Sequence, residues 1–287
     1  MEATRITTKE IQKTQELIDF IKKSPSCYHV IHNIAEEFEE AGYEQLNEAK
    51  EWTLRKGGRY FVTRNQSSLI AFTLPEETLG GFLICASHSD SPTFKLKSNY
   101  EMTVDDRYLK LNVEKYGGMI CSTWLDRPLS VAGRVVVNRK EGIESVLVNL
   151  DQDLCLIPNL AIHMNRQINE GYAYNAQKDM LPLLGEGTAK GKLKELLAEA
   201  AGVEEEALLG YDLFLYLREG GRIWGAEQEF YSSPKIDDLQ CVFASKEAFL
   251  QAENTGMSKV LAIFDNEEVG SGTKQGAKST FLSDVLA

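Results

Sequence analysis

Long apolar runs are missing from this 287-residue chain, and none approaches the roughly 20 residues that span a bilayer as a helix. The opening MEATRITTKEIQKTQELIDF is amphipathic and contains no apolar signal core. Cysteines are few and scattered: Cys27, Cys85, Cys121, Cys155 and Cys241 form no C-x-x-C pair, and their odd number argues against a disulfide framework. Reduced thiols in a cytoplasmic setting are the expectation, and a cysteine-bound zinc site is disfavoured. Basic residues are in deficit, 31 against 43 acidic, for a net charge of −12. Such a surface repels phosphate backbones and anionic lipids, which excludes nucleic-acid and membrane partners as first readings. There is no internal repeat and no low-complexity stretch. A hydrophobic share of 43% is ordinary for a globular protein, which sets aside intrinsic disorder.

The patterning that is present predicts an α/β chain. Ile11, Leu17, Ile18 and Ile21 fall near one face of a helix over 9–23, broken by Ser24-Pro25-Ser26. Ser26 is then placed to cap a second helix through Val30, Ile31, Ile34 and Phe38. Strands are predicted at 59–63, 69–73 and 82–86. The unbroken apolar run of the last predicts burial on both faces. From about Leu96 the texture is mainly β, with strands at 109–113, 131–137, 146–148 and 211–217 and a helix at 191–201. After Ser232-Ser233-Pro234 a helix (236–252), a buried strand (260–264) and a further helix from Ala277 restore α/β character. The expected organisation is an α/β domain formed by 1–95 and 232–287, interrupted by a β-rich insertion over 96–231.

Four segments could carry chemistry. Ala86-Ser87-His88-Ser89-Asp90 ends an apolar strand, and Asp90, two residues on, could reach the second ring nitrogen of His88 and raise its basicity as a metal ligand. By itself, H-x-D also fits a solvated turn. Phe264-Asp265-Asn266-Glu267-Glu268 ends another apolar strand, where open α/β sheets place their sites. Its adjacent glutamates would suit one metal ligand and one proton acceptor, or simply an exposed acidic pair. Lys235-Ile236-Asp237-Asp238 opens a helix, where acids favour the helix dipole but an aspartate can also bridge two cations. His163, with Asp179 not far beyond, lies in the insertion, whereas His29 and His32 read as structural. The Gly270–Gly276 segment GSGTKQG fits neither dinucleotide nor P-loop spacing, and no G-x-S-x-G elbow occurs, so nucleotide binding and serine hydrolysis drop out. Taken together, histidine and acid clusters at the ends of elements suit a metal hydrolase.

Six ordered motifs, ASHSDSPTFKLK, WLDRPLSVAGRV, IPNLAIHMNR, QKDMLPLLG, SPKIDDLQC and FDNEEVGSGTKQGAKSTFL, resemble the aspartyl aminopeptidase family of cocatalytic zinc metallopeptidases over nearly the whole chain. The resemblance implies an α/β/α sandwich peptidase domain with an inserted β-rich dimerisation domain. It also implies two zinc ions and removal of N-terminal residues, acidic ones in the best-known members, from peptides. Matched motif by motif, His88 would bind one zinc, Asp90 would orient it, Asp237 would bridge both ions, Glu268 would bind one ion and Glu267 would be the general base. His163 would either steady substrate in a neighbouring subunit or bind zinc. Relatives form homo-oligomers in which dimers build dodecamers. The family's last two ligands, an Asp and a His, lie well beyond the Asn-Glu-Glu motif, whereas this chain continues only 19 residues past Glu268 and has no histidine after His163. The expectation is therefore an N-terminal portion of a longer enzyme, without full competence of its own. A related dizinc deacylase or dipeptidase, and a non-catalytic assembly protein, are the competing readings.

Overall fold

The computed structural model describes residues 6–253 and 256–287. The chain starts with α1 (Thr8–Lys23), whose first turn is closed by a reciprocal cap: the Glu10 backbone N–H donates to Thr7 Oγ1 and the Thr7 N–H donates to the Glu10 carboxylate. Leu17, Ile18 and Ile21 form its buried stripe. Pro25 separates it from α2 (Cys27–Glu40). Ser26 occupies the N-cap position of α2 in an extended conformation, but its hydroxyl makes no cap bond. It pairs instead with His29 Nδ1 at 2.8 Å, so the predicted capping role is corrected. Strands β1 (Glu44–Leu46), β2 (Arg59–Arg64), β3 (Ser68–Thr73) and β4 (Phe82–His88) follow.

The chain then forms β5 (Thr93–Val104), β6 (Tyr108–Tyr116), β7 (Leu129–Arg139), β8 (Gly142–Asn149), β9 (Leu183–Glu186), α3 (Lys192–Ala201) and β10 (Leu208–Leu217). It ends with β11 (Arg222–Trp224), β12 (Phe230–Ser232), α4 (Ile236–Gln251), β13 (Ser258–Phe264) and α5 (Phe281–Leu286). Two compact units result, one of residues 1–91 with 220–287 and the other Pro92–Glu219. The β11–β12 hairpin thus belongs to the first unit.

In the first unit a sheet of order β1-β2-β3-β13-β4 lies between two apolar layers. Alternation along the strands divides the side chains. Phe61, Leu69, Ala71, Leu261 and Ile263 join Leu17, Ile34, Phe38, Val242 and Phe249 of α1, α2 and α4. Tyr60, Val62, Ile70, Phe72, Val260 and Ala262 face the other way, toward Phe281 of α5. The fold of this unit is an α/β sandwich. Strand β13 runs parallel to β4, with Phe264 beside His88, so both chains leave the sheet at the same end. The burial expected for β4 is not found: Phe82, Leu83 and Ile84 are 40–52% exposed. The reason is position, because β4 is the last strand of the sheet order and pairs only with β13 among the described residues.

The second unit is a six-stranded antiparallel sheet, β8-β7-β10-β5-β6-β9, with its own core of Phe94, Leu111, Val131, Val135 and Leu213 against Leu193 and Leu197 of α3. Among the described residues no helix is long and apolar enough to cross a membrane.

Candidate metal centre

The parallel pairing of β4 and β13 creates the site. Ser89 N–H donates to the Phe264 carbonyl at 2.8 Å, locking the first residue after β4 to the last residue of β13. Beyond that lock, Asp90 and Glu267-Glu268 come together. The Glu267 N–H donates to Asp90 Oδ1 and the Glu268 N–H to Asp90 Oδ2, each at 3.2 Å. Both donors are free to do so because they begin a short 3-10 turn, Glu267–Val269, whose first N–H groups have no partner within the turn. A side chain 2% exposed and negatively charged therefore ties the two loops together.

Asp90 also orients the imidazole. His88 Nδ1 lies 3.0 Å from the Asp90 backbone carbonyl and 3.3 Å from its carboxylate, so the backbone shares the task assigned to the side chain. With Nδ1 as the donor, the Nε2 lone pair faces outward. It meets Asp237 Oδ1 at 3.3 Å, Asp238 Oδ2 at 3.8 Å and Glu267 Oε2 at 3.8 Å. Ligand atoms of His88, Asp237 and Asp238 all lie within 4.8 Å of one another.

The two aspartates are not ordinary helix residues. Lys235, the N-cap of α4, has φ 57°, and Asp237 and Asp238 depart from helical angles. Asp238 accepts the His88 backbone N–H at 3.0 Å, and the Ser91 hydroxyl donates to the Asp237 carbonyl at 3.0 Å. Asp237 is 80% exposed on its side chain, Glu267 57%.

Electrostatics follow from this crowding. Burial alone would lower the His88 pKa, but the Asp90, Asp238 and Glu267 carboxylates override it and push it up to about 9. Burial, with Asp90, Asp237 and Glu267 adding repulsion against the attraction of His88, pushes Glu268 up to about 7. His88, Asp237 and Asp238 offer one nitrogen and two carboxylates, with Glu267 and Glu268 beside them, an excess of negative charge that a dication relieves, and nitrogen with oxygen donors suits zinc. The residues present fit the metal.

Sequence reasoning singled out His88, Asp90, Asp237, Glu267 and Glu268, and the structure gathers all five. It adds Asp238, which shared a motif with Asp237 but carried no signal beyond a helix-start acid. It also gives the GSGTKQG segment a task. Asn266 is held in the left-handed region at φ 61°, and its side-chain oxygen accepts from Thr273 Oγ1 at 2.7 Å and from Gln275 Nε2 at 2.9 Å. The loop braces the turn that carries both glutamates. His163 belongs to the second unit, exposed in a turn.

The profile of the aminopeptidase I zinc metalloprotease (M18) family matches residues 20–287. The chain belongs to this family. A probable M18 family aminopeptidase 2 from Clostridium acetobutylicum is 46% identical over 285 residues, covering 96% of this chain and 66% of that protein. One from Azotobacter vinelandii is 39% identical over 280 residues, covering 95% and 65%. The chain thus spans just under two thirds of the length of these curated relatives. Among solved structures, the Ape4 and Nbr1 complex matches with TM-score 0.91 and 34% identity, over 99% of this chain and 60% of that one. The S. cerevisiae mApe1 dodecamer matches with TM-score 0.82 and 31% identity, over 96% and 65%.

Proposed function

We propose that this chain carries part of the active site of a zinc-dependent aminopeptidase, a hydrolase that removes N-terminal residues from peptides. The observation that supports it best is the convergence of His88, Asp237 and Asp238 ligand atoms beside Glu267, at the shared end of β4 and β13. His88 Nε2, Asp237 and Glu268 would hold the metal, with Asp237 between two ions and Asp238 a further donor. When bound, zinc supplies Lewis acidity toward a peptide carbonyl and makes water easier to deprotonate.

The protein's own groups do the rest. Asp90 keeps the proton of neutral His88 on Nδ1, leaving Nε2 for the metal, and fixes the backbone of both glutamates. Glu267 Oε2 takes a proton from the attacking water and returns it to the amine nitrogen as the C–N bond breaks. His163 would either steady substrate in a neighbouring subunit or bind zinc. Zinc content of His163→Ala separates the two, since only a ligand's loss would lower it. A homo-oligomer is supported by likeness to the S. cerevisiae mApe1 dodecamer; its assembly from dimers joined through the second unit is part of the same proposal. A preference for acidic N-terminal residues and a cytoplasmic setting complete the proposal.

Turnover of aminoacyl chromogenic substrates by the purified protein, with and without chelator, tests the reading. Activity should vanish on metal removal and on blocking the substrate's amino group. Full activity after complete zinc removal overturns it.

A further inference from the structure

The two aspartates of the metal centre sit where α4 cannot hold them. Asp237 (φ −82°, ψ 111°) and Asp238 (φ −116°, ψ 16°) lie outside helical space, so the helix's regular hydrogen-bond ladder does not fix their position. What fixes them has to come from neighbouring elements. His88 N–H and the Ser91 hydroxyl supply two ties from the β4 side. A third comes from the α1–α2 side. Lys235, two residues before Asp237, donates from Nζ to the Ser24 carbonyl at 2.6 Å. Ser24 caps the C-terminal end of α1 and is fully buried. It is itself secured: the Asn33 side-chain amide of α2 donates to the Ser24 hydroxyl and to the Lys23 carbonyl, each at 3.0 Å.

Lys235 pays for this reach in backbone conformation. Its φ of 57° is left-handed space that residues with a side chain enter only under strain. Glycine would take that conformation freely, but glycine has no donor for Ser24.

We propose that Lys235 is a positioning residue for the metal centre, anchoring the Asp237–Asp238 corner to the α1–α2 junction through Ser24. It touches neither metal nor substrate. The inference rests on the zinc reading of the site, and its test is built to separate the two.

Lys235→Met keeps the length and volume of the side chain and removes the donor; Lys235→Arg restores a donor. Zinc affinity would be measured by chelator competition, and hydrogen exchange followed at amides 236–240 in the metal-free protein. Groups that orient metal ligands typically change affinity about 10–100-fold. K235M should bind zinc about tenfold more weakly and exchange faster at 237–239, with the rest of α4 still protected, and K235R should recover most of both. Ser91→Ala combined with K235M should depart from additivity, because both ties act on one corner. Wild-type zinc affinity together with wild-type exchange in K235M overturns the proposal. If the wild-type protein binds no zinc, the metal reading fails and the exchange data alone decide whether Lys235 anchors the corner. If K235M is insoluble, K235R decides: near-wild-type affinity and exchange support the anchor, and a tenfold loss refutes it.

Discussion

Replacing Asp90 by asparagine is the sharpest single perturbation of this site. The side chain is almost completely buried and each carboxylate oxygen accepts one backbone N–H, from Glu267 and from Glu268. Asparagine keeps the shape but has only one oxygen, so one of those N–H groups must face an amide NH₂. A hydrogen bond to a charged acceptor contributes about 1.5–3 kcal/mol, and a buried donor left unmatched costs about 1–3 kcal/mol. Together these give a loss of about 2.5–6 kcal/mol. For a unit of this size, at about 2–4 °C per kcal/mol, that is a fall of roughly 5–24 °C in melting temperature. The same change removes the negative charge beside His88 Nδ1, which should weaken zinc binding about 10–100-fold. Circular-dichroism melting in excess chelator reads the first effect and chelator competition the second. A D90N protein that melts within about 1 °C of wild type and binds zinc equally well would refute the view that Asp90 joins the two loops.

Further predictions concern protons and thiols. Glu267→Gln should keep its zinc yet lose about 10²–10⁴-fold in turnover, as general-base removal does; unchanged turnover would assign the base elsewhere. His88 and Glu268 both have pKa values raised on folding, to about 9 and about 7. Stability from the His88 contacts is fully present below about pH 6.5 and is lost as pH rises through about 9. The Glu268 contribution is present below about pH 4.5 and lost through about 7. Because zinc needs both groups deprotonated, the rise in melting temperature on adding zinc should be larger at pH 8.5 than at pH 5.5, and a pH-independent increment would count against these two ligands. Among the cysteines, Cys85 is exposed, whereas burial pushes Cys155 up to about 12. Mass mapping after brief alkylation at pH 8 should find Cys85 modified and Cys155 intact; equal labelling would contradict the packing of the second unit.

Much of the α/β unit was legible because local pattern decides it. The apolar stripe of α1 announces a helix and its buried face, and the short apolar runs of β3 and β13 announce strands, without reference to anything distant. Motif positions at strand ends were legible for the same reason. The β4 run reads as a doubly covered strand because sequence reports apolarity, not rank within a sheet. Its exposure follows from standing at the end of the strand order, a long-range pairing that no window of the chain contains. Ser26 shows the same limit at short range: its hydroxyl pairs with His29 and makes no cap bond. Asp238, Lys235 and the Thr273–Gln275 brace were invisible because each works through a residue far away in sequence, or through a neighbour's unusual backbone.

The amino-acid order by itself determined which chemistry was available: one imidazole, a run of carboxylates and the turns that carry them, together with the family to which they belong. Tertiary structure decided that these groups share one place, because only the parallel docking of β13 on β4 brings the two strand ends side by side. The physical reason is that side-chain identity is a local property, whereas the burial that lifts Glu268 and the carboxylates that lift His88 exist only when separate loops pack into the same few ångströms.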